Sequence, residues 1–152
     1  MEGPNSGNIR LLQEFDTKLF ADSVEWCPLE GSRELLLCGT YQLDEGQAEQ
    51  NPEAAAFQVR VGKLYLLKLT NCRECPQLFQ QLCIETPGIL DIKWGQTVED
   101  GHPVFALVNA AGEVTVNKVS DHGCSVSKIS AVDLGVECLG LSLDWSNRVN
   151  SG

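Results

Sequence analysis

The sequence of 152 residues lacks several features that define common protein classes. No apolar run approaches the roughly 20 residues that span a bilayer. The N-terminal residues MEGPNSGNIR contain no basic segment followed by an apolar core, so no secretory signal is visible. Aromatic residues are scarce at 7%, but Leu, Val and Ile are plentiful, which argues against wholesale disorder. We therefore expect one globular, cytoplasmic domain.

Basic residues are also few. Lys and Arg number 11 against 21 Asp and Glu, which gives a formal net charge of −10. Such a chain repels phosphate and anionic lipid. Neither a nucleic acid nor a membrane surface is therefore an expected partner.

Motifs for metal or cofactor binding are absent as well. The C-x-x-C at Cys72 and Cys75 has no second ligand pair, so two loop cysteines are the simpler interpretation. There is no glycine-rich phosphate loop, and we predict no cofactor and no metal. Seven cysteines without a signal peptide indicate reduced thiols. Four lie in apolar segments and are expected to be packing residues: Cys27, Cys38, Cys83 and Cys138.

What the sequence does contain is a series of short apolar segments bounded by Gly, Pro, Asn and Asp. This pattern predicts β-strands, mostly 8 to 12 residues apart, as in a sandwich, barrel or propeller. One of these segments, 78–86, is also compatible with a short helix. The predicted strands are 8–15, 23–27, 34–43, 57–69, 78–86, 89–94, 104–110, 113–119, 125–134 and 138–145.

The three tryptophans anchor a weak internal repeat. Residues 23–26, 91–94 and 142–145 each consist of a small or acidic residue, an aliphatic residue, a charged residue and Trp. The intervals between the tryptophans are 94 − 26 = 68 and 145 − 94 = 51 residues, whereas a WD-type blade has roughly 40–45. The acidic segment 43–56 accounts for the excess as a flexible insertion. Coincidence among three tryptophans is the alternative.

The repeat predicts an all-β, incomplete propeller with two blades of four strands each. The segment 138–145 is then the first strand of a third blade, and 8–15 is the outer strand of the last blade, which closes the ring. Residues 1–7 are expected to be disordered, and 147–152 form a polar tail at a truncation, so the chain resembles a fragment or truncated isoform. Its open edges predict self-association.

Specific segments also carry a family resemblance. Residues 21–43, ADSVEWCPLEGSRELLLCGTYQL, together with 59–69, 88–94 and 138–146, resemble the WD-repeat propellers of diphthamide biosynthesis. The resemblance covers roughly residues 9 to 146. The chain departs from that family in length, because the family's proteins are more than twice as long. No strand here ends in Trp-Asp at the usual third-strand position.

The resemblance implies a seven-bladed ring in the full protein and a methyl ester hydrolase activity. Its substrate would be methylated diphthine on eukaryotic elongation factor 2, and its products diphthine and methanol. A non-catalytic WD-repeat scaffold is the alternative function, because composition and repeat fit both.

Candidate catalytic residues are weak. The segments 123–127 and 140–144 lack the closing Gly of a nucleophile elbow. Glu25 and Asp144 occupy the same repeat position as Lys93. If that position faces a central channel, these charged side chains could stay hydrated. The two histidines, His102 and His122, lie in predicted turns. The simpler interpretations are a structural role for Glu25 and Asp144 and solvated loop positions for the two histidines, and the catalytic residues stay unassigned.

Overall fold

The structure is a computed structural model that describes residues 11–44, 59–70, 76–135 and 138–146. Within these ranges the secondary structure is all-β, with eight strands, one 3₁₀ turn at Asp121–Gly123 and no α-helix. None of the described residues form a helix long and apolar enough to cross a membrane.

The first four strands form one antiparallel sheet, called blade one, in the order β1-β2-β3-β4. Each strand pairs with the next in sequence, so the sheet is a simple up-and-down series of antiparallel neighbours. The segment 78–86 is a strand rather than a helix. The strands are β1 (Phe20–Trp26), β2 (Leu35–Leu43), β3 (Arg60–Thr70) and β4 (Gln77–Pro87).

The next four strands form a second antiparallel sheet, blade two, in the order β5-β6-β7-β8. Two successive four-stranded sheets confirm the prediction of an incomplete β-propeller. The strands are β5 (Ile89–Glu99), β6 (His102–Asn109), β7 (Glu113–Ser120) and β8 (Ser125–Asp133).

The main hydrophobic core lies between the two blades. Leu37 and Leu66 of blade one are fully buried against Ile92 and Phe105 of blade two. Trp94 packs edge-on to Phe105, with ring centroids 5.6 Å apart. Because side chains alternate along a strand, one face of each sheet supplies this core.

Close approach of the blades depends on Gly39 in β2. A Cβ atom at this position would lie 2.5 Å from Cγ2 of Ile89 and 2.9 Å from Cδ1 of Ile92. Both contacts are closer than real side-chain carbons approach each other. The missing side chain therefore sets the distance at which β5 packs on blade one.

The opposite face of blade one carries a smaller cluster of Leu36, Cys38, Tyr65 and Leu67. Residues 11–17 cover it, since Phe15 packs edge-on to Tyr65 at 5.5 Å and the Tyr65 hydroxyl donates to the Thr17 carbonyl at 2.7 Å. The prediction of a strand over 8–15 is wrong for its described part, residues 11–15, which form no strand. The segment meets the edge strand β4 through a side chain instead, since the Gln13 amide group donates to the Leu78 carbonyl at 3.0 Å and accepts the Leu78 amide at 2.7 Å.

The predicted strand 138–145 is likewise not a strand in this structure. The segment lies along β5, where the Leu143 amide donates to the Asp91 carboxylate at 3.1 Å. None of the described strands pairs with its backbone in a ladder, although it occupies the position expected for the next inner strand.

The cysteine predictions are confirmed in part. Cys27 and Cys38 are buried as expected, but Cys83 and Cys138 are exposed. Cys83 lies on the outermost strand of blade one, and Cys138 lies in the segment after β8, so neither position is enclosed by two sheets. Several other predictions fall outside the described residues: disorder at 1–7, most of the insertion at 43–56, Cys72 and Cys75, and the tail at 147–152.

Shortening a side chain in the main hydrophobic core should lower the free energy of unfolding substantially. We expect Phe105→Ala to lower the free energy of unfolding by about 3–5 kcal/mol, because it removes a fully buried ring between the blades. Chemical denaturation measures this change. Phe79→Ala is the matched control, since Phe79 is 48% exposed on β4, and it should cost much less. Equal losses for the two variants would contradict this position of the core.

Thiol reactivity should separate the cysteines. Burial raises the pKa of the Cys27 and Cys38 thiols, which reduces their thiolate fraction and their access to reagent. We expect Cys83, Cys124 and Cys138 to be alkylated in the native protein, and Cys27 and Cys38 only after unfolding. Peptide mass mapping after iodoacetamide treatment measures the order. Rapid native labelling of Cys38 would contradict the packing of its face.

Candidate functional site

The four predicted site residues lie in two separate places. Glu25 and Asp144 belong to the inner-strand repeat, defined as residues 23–26, 91–94 and 142–145. His102 and His122 lie together on one rim of the blades, in a cleft that no residue of the repeat lines.

The first two copies of the inner-strand repeat are joined by hydrogen bonds between blades. The indole N–H of Trp94 donates to the Glu25 carbonyl at 2.9 Å. The Ile92 amide donates to the Ser23 hydroxyl at 3.1 Å. The Glu25 carboxylate also accepts the backbone N–H of Trp94, at 2.6 Å. Glu25 therefore ties β1 to β5 through both its backbone and its side chain.

The second and third copies are joined in the same way. The indole N–H of Trp145 donates to the Lys93 carbonyl at 3.0 Å, as Trp94 does to Glu25. The Leu143 amide donates to the Asp91 carboxylate, which replaces the Ser23 hydroxyl. We call this two-bond arrangement the inner joint. It recurs although the residues at its first and third positions differ between copies.

Charges of opposite sign surround the first inner joint. The Lys93 ammonium lies 3.4 Å from the Asp91 carboxylate and 3.9 Å from the Glu25 carboxylate. These half-buried groups satisfy one another, as buried charges must. Asp144 stays exposed, and its carboxylate accepts the amide of the adjacent Trp145.

The rim cleft has a volume of about 390 Å³ and lies between the blades. His102 starts β6 and His122 lies in the turn after β7, so two reversals of blade two bring them together. Blade one contributes Glu34 and Lys68 to the opposite wall. Neither imidazole makes a hydrogen bond within the part of the chain that the structure describes, so both are open to a ligand.

The backbone at this rim is unusual. Asp121 and His122 have φ of 50° and 55°, in the left-handed region that few residues other than Gly adopt. The Lys68 ammonium donates to the His122 carbonyl at 3.2 Å and lies 3.8 Å from Glu34. Blade one thus holds the turn that carries His122.

An acidic group lies next to the cleft. Asp100 precedes its lining residues Gly101 and His102, and Lys118 donates to its carboxylate at 3.0 Å. This hydrogen bond lowers the pKa of Asp100. The carboxylate is therefore charged at neutral pH beside His102.

The chemistry of the cleft is that of acid–base groups. Imidazole is the side chain that most often serves as a general acid or base, and Lys68 adds a positive charge. Over the described ranges, no group of three or more His, Cys, Asp or Glu residues could hold a metal ion. A larger hollow of about 790 Å³ lies on the opposite rim, and none of the predicted site residues line it.

Some of these residues could not be found from the sequence. Lys68 and Glu34 reach the cleft only because of strand register, and they have no motif of their own. The sequence did indicate that Asp91 accepts a hydrogen bond, because the first position of every repeat copy carries an acceptor: Ser23, Asp91 and Ser142.

Comparison with known proteins supports the family resemblance. The chain is 37% identical over 149 residues to a diphthine methyltransferase from Mus musculus and 40% identical over 144 residues to one from Homo sapiens. These alignments cover 96% and 89% of this chain, but only 31% and 32% of the relatives. The chain therefore spans about a third of the length of the curated relatives it matches. No family model matches it.

The hydrogen bond from the Trp94 amide to the Glu25 carboxylate predicts that Glu25 stabilises the fold. Glu25→Ala should lower the free energy of unfolding by about 1–3 kcal/mol, because the Trp94 amide loses a charged acceptor. Glu25→Gln keeps an oxygen acceptor and should cost less. Urea denaturation measures both changes.

The control for this experiment is Glu85→Ala. Glu85 is 87% exposed and lies 3.9 Å from Lys63, a surface ion pair of little energetic value. A loss for Glu25→Ala no greater than for Glu85→Ala would contradict a structural role of the inner joint.

Proposed function

We propose that this chain, a homologue of the diphthine methyltransferases over nearly all of its length, forms part of a diphthine methyl ester hydrolase. The similarity to the mouse and human proteins is the observation that carries this proposal. The proposed substrate is methylated diphthine on eukaryotic elongation factor 2, and the setting is the cytoplasm, where that factor works.

The reaction is ester hydrolysis. Water adds to the ester carbonyl, and the bond from the carbonyl carbon to the methoxy oxygen breaks. The methoxy group takes up one proton of that water and leaves as methanol. The carboxylate of diphthine and one further proton remain. Such a reaction needs a base to activate water and a positive group or donor near the developing oxyanion.

Among the four candidates, His102 and His122 fit the role of base. They share a cleft with room for a side chain, and neither imidazole is committed to another described group. The Lys68 ammonium supplies positive charge at the same cleft. Glu25 is a poorer candidate because its carboxylate already binds the Trp94 amide and lies beside Lys93. Asp144 is exposed and does not line the cleft.

A methyl-release assay tests the proposal. Elongation factor 2 carrying methylated diphthine is incubated with this chain, and loss of the methyl group is followed by intact mass. The mouse relative serves as positive control. We expect release by this chain above the rate without protein, and a decrease of about 10²–10⁴-fold in the variant His102→Asn/His122→Asn. Asn tolerates the left-handed backbone of residue 122.

The matched control is His122→Asn alone. It shows how much of the rate depends on each imidazole, and it leaves the backbone of the left-handed turn unchanged. Methyl release by the mouse protein but not by this chain would place the chemistry outside these two blades. It would favour the alternative, in which this part of the ring is a non-catalytic scaffold.

A further inference from the structure

A second cavity between the blades shares none of the lining residues of the rim cleft. Its volume is about 250 Å³, and we call it the outer cavity. Both blades line it, and its apolar wall consists of Leu64 and Ile84 from blade one and Leu107 and Val126 from blade two. The cavity is therefore formed by the facing sides of two described sheets.

Two polar side chains of β7 line the outer cavity at positions that point toward the core. Thr115 and Asn117 alternate with Val119, which packs in the core between the blades, so all three lie on one face of the strand. Thr115 is 6% exposed and Asn117 is 7% exposed. Burial of a polar group costs free energy unless hydrogen bonds replace its bonds to water. These two side chains therefore need partners that the strand ladder does not supply.

The hydrogen bond between the two side chains leaves part of each unused. The Asn117 carboxamide N–H donates to the Thr115 hydroxyl at 2.8 Å. Within the described ranges, the Asn117 carboxamide oxygen accepts no hydrogen bond and the Thr115 hydroxyl proton has no acceptor. Since no described side-chain oxygen or nitrogen is both buried from solvent and unbonded, the Asn117 oxygen is open to the cavity. A deep acceptor and a deep donor therefore lie side by side there.

A second buried asparagine at this cavity has a different function. The Asn109 carboxamide oxygen accepts the amides of Ala111 and Glu113, at 3.0 and 3.2 Å. Asn109 thereby holds the turn between β6 and β7. The Asn117 side chain bonds only to the Thr115 side chain among the described residues, so it holds no turn or strand in place.

The charged groups that line the cavity are paired and lie toward solvent. The Lys128 ammonium is 3.1 Å from the Glu113 carboxylate, with side chains 55% and 35% exposed. Glu85 of blade one is 87% exposed and lies 3.9 Å from Lys63. An ionic ligand would have to compete with these pairs and would also lose its hydration beside the apolar wall. A neutral ligand avoids both costs.

We propose that the outer cavity binds a small neutral carboxamide. The ligand amide N–H donates to the Asn117 oxygen, and the ligand carbonyl accepts the Thr115 hydroxyl proton. Its aliphatic part packs on the apolar wall. The volume of about 250 Å³ is below the roughly 300–1,000 Å³ of pockets for drug-sized molecules, so the ligand is small. This inference is independent of the proposed hydrolase activity.

Ligand-observed NMR with butyramide is the first test. We expect saturation transfer from the wild-type chain to butyramide, with a dissociation constant of about millimolar, as suits so small a ligand. Butyrate has nearly the same shape but is charged and has no N–H donor, so it should bind at least about tenfold more weakly. No transfer to butyramide, or equal binding of butyrate, would overturn the proposal.

A double variant, Thr115→Val/Asn117→Leu, tests the two groups assigned to the ligand. Val and Leu keep the approximate shape of Thr and Asn, and removal of both partners leaves neither one buried and unpaired. The variant should therefore fold, which a cooperative urea transition would show. We expect its affinity for butyramide to fall at least about tenfold. Affinity equal to that of the wild-type chain would contradict the assignment.

Two further variants are matched controls. Thr115→Ser keeps the hydroxyl and should keep the affinity within about threefold, whereas a purely steric role of Thr115 predicts the same loss as in the double variant. Lys128→Gln changes only the exposed ion pair and should leave butyramide binding within about twofold. A tenfold loss in Lys128→Gln would place the ligand on the charged groups and overturn the proposal.

Discussion

A hydrogen bond from a tryptophan indole to a backbone carbonyl sets the position of each inner strand against the one before it. The carbonyl belongs to Glu25 in the first case and to Lys93 in the second, so the bond does not depend on the side chain at that position. This explains how a repeat with a variable third residue preserves one geometry. The core of Ile92, Trp94 and Phe105 can pack as it does because this bond fixes the register of β5 on β1.

The same constraint limits where chemistry can occur. Near the inner edge, charged groups are occupied by one another and by backbone amides, as Glu25 and Lys93 show. Toward the rim the blades separate, and the cleft with His102 and His122 opens between them. None of the residues of the inner joint line this cleft, so the joint and the groups open to a ligand are separate features of the blades.

The sequence was sufficient to predict the eight strands, because each is a short apolar segment that ends at turn residues. It was also sufficient for the grouping into blades, because the tryptophan repeat marks each inner strand. It failed for residues 11–15 and 138–145, because a strand also needs backbone pairing with a neighbour, and these segments meet β4 and β5 through side-chain hydrogen bonds instead. Cys83 has an apolar neighbourhood in sequence but lies on an outer strand, where one face is open. The cleft was not predictable, because strand register alone brings Lys68 to His122.

The contact between Lys68 and the His122 carbonyl joins the blades at the rim, as the inner joint does at the inner edge. The two connections differ in stiffness. One is a flexible, half-exposed side chain that rotates on a fast timescale, and the other is largely backbone and buried indole. The inner edge is therefore the firmer of the two connections between the blades. Reorientation of Lys68 would alter the wall of the cleft beside His122 without breaking a bond of the inner joint.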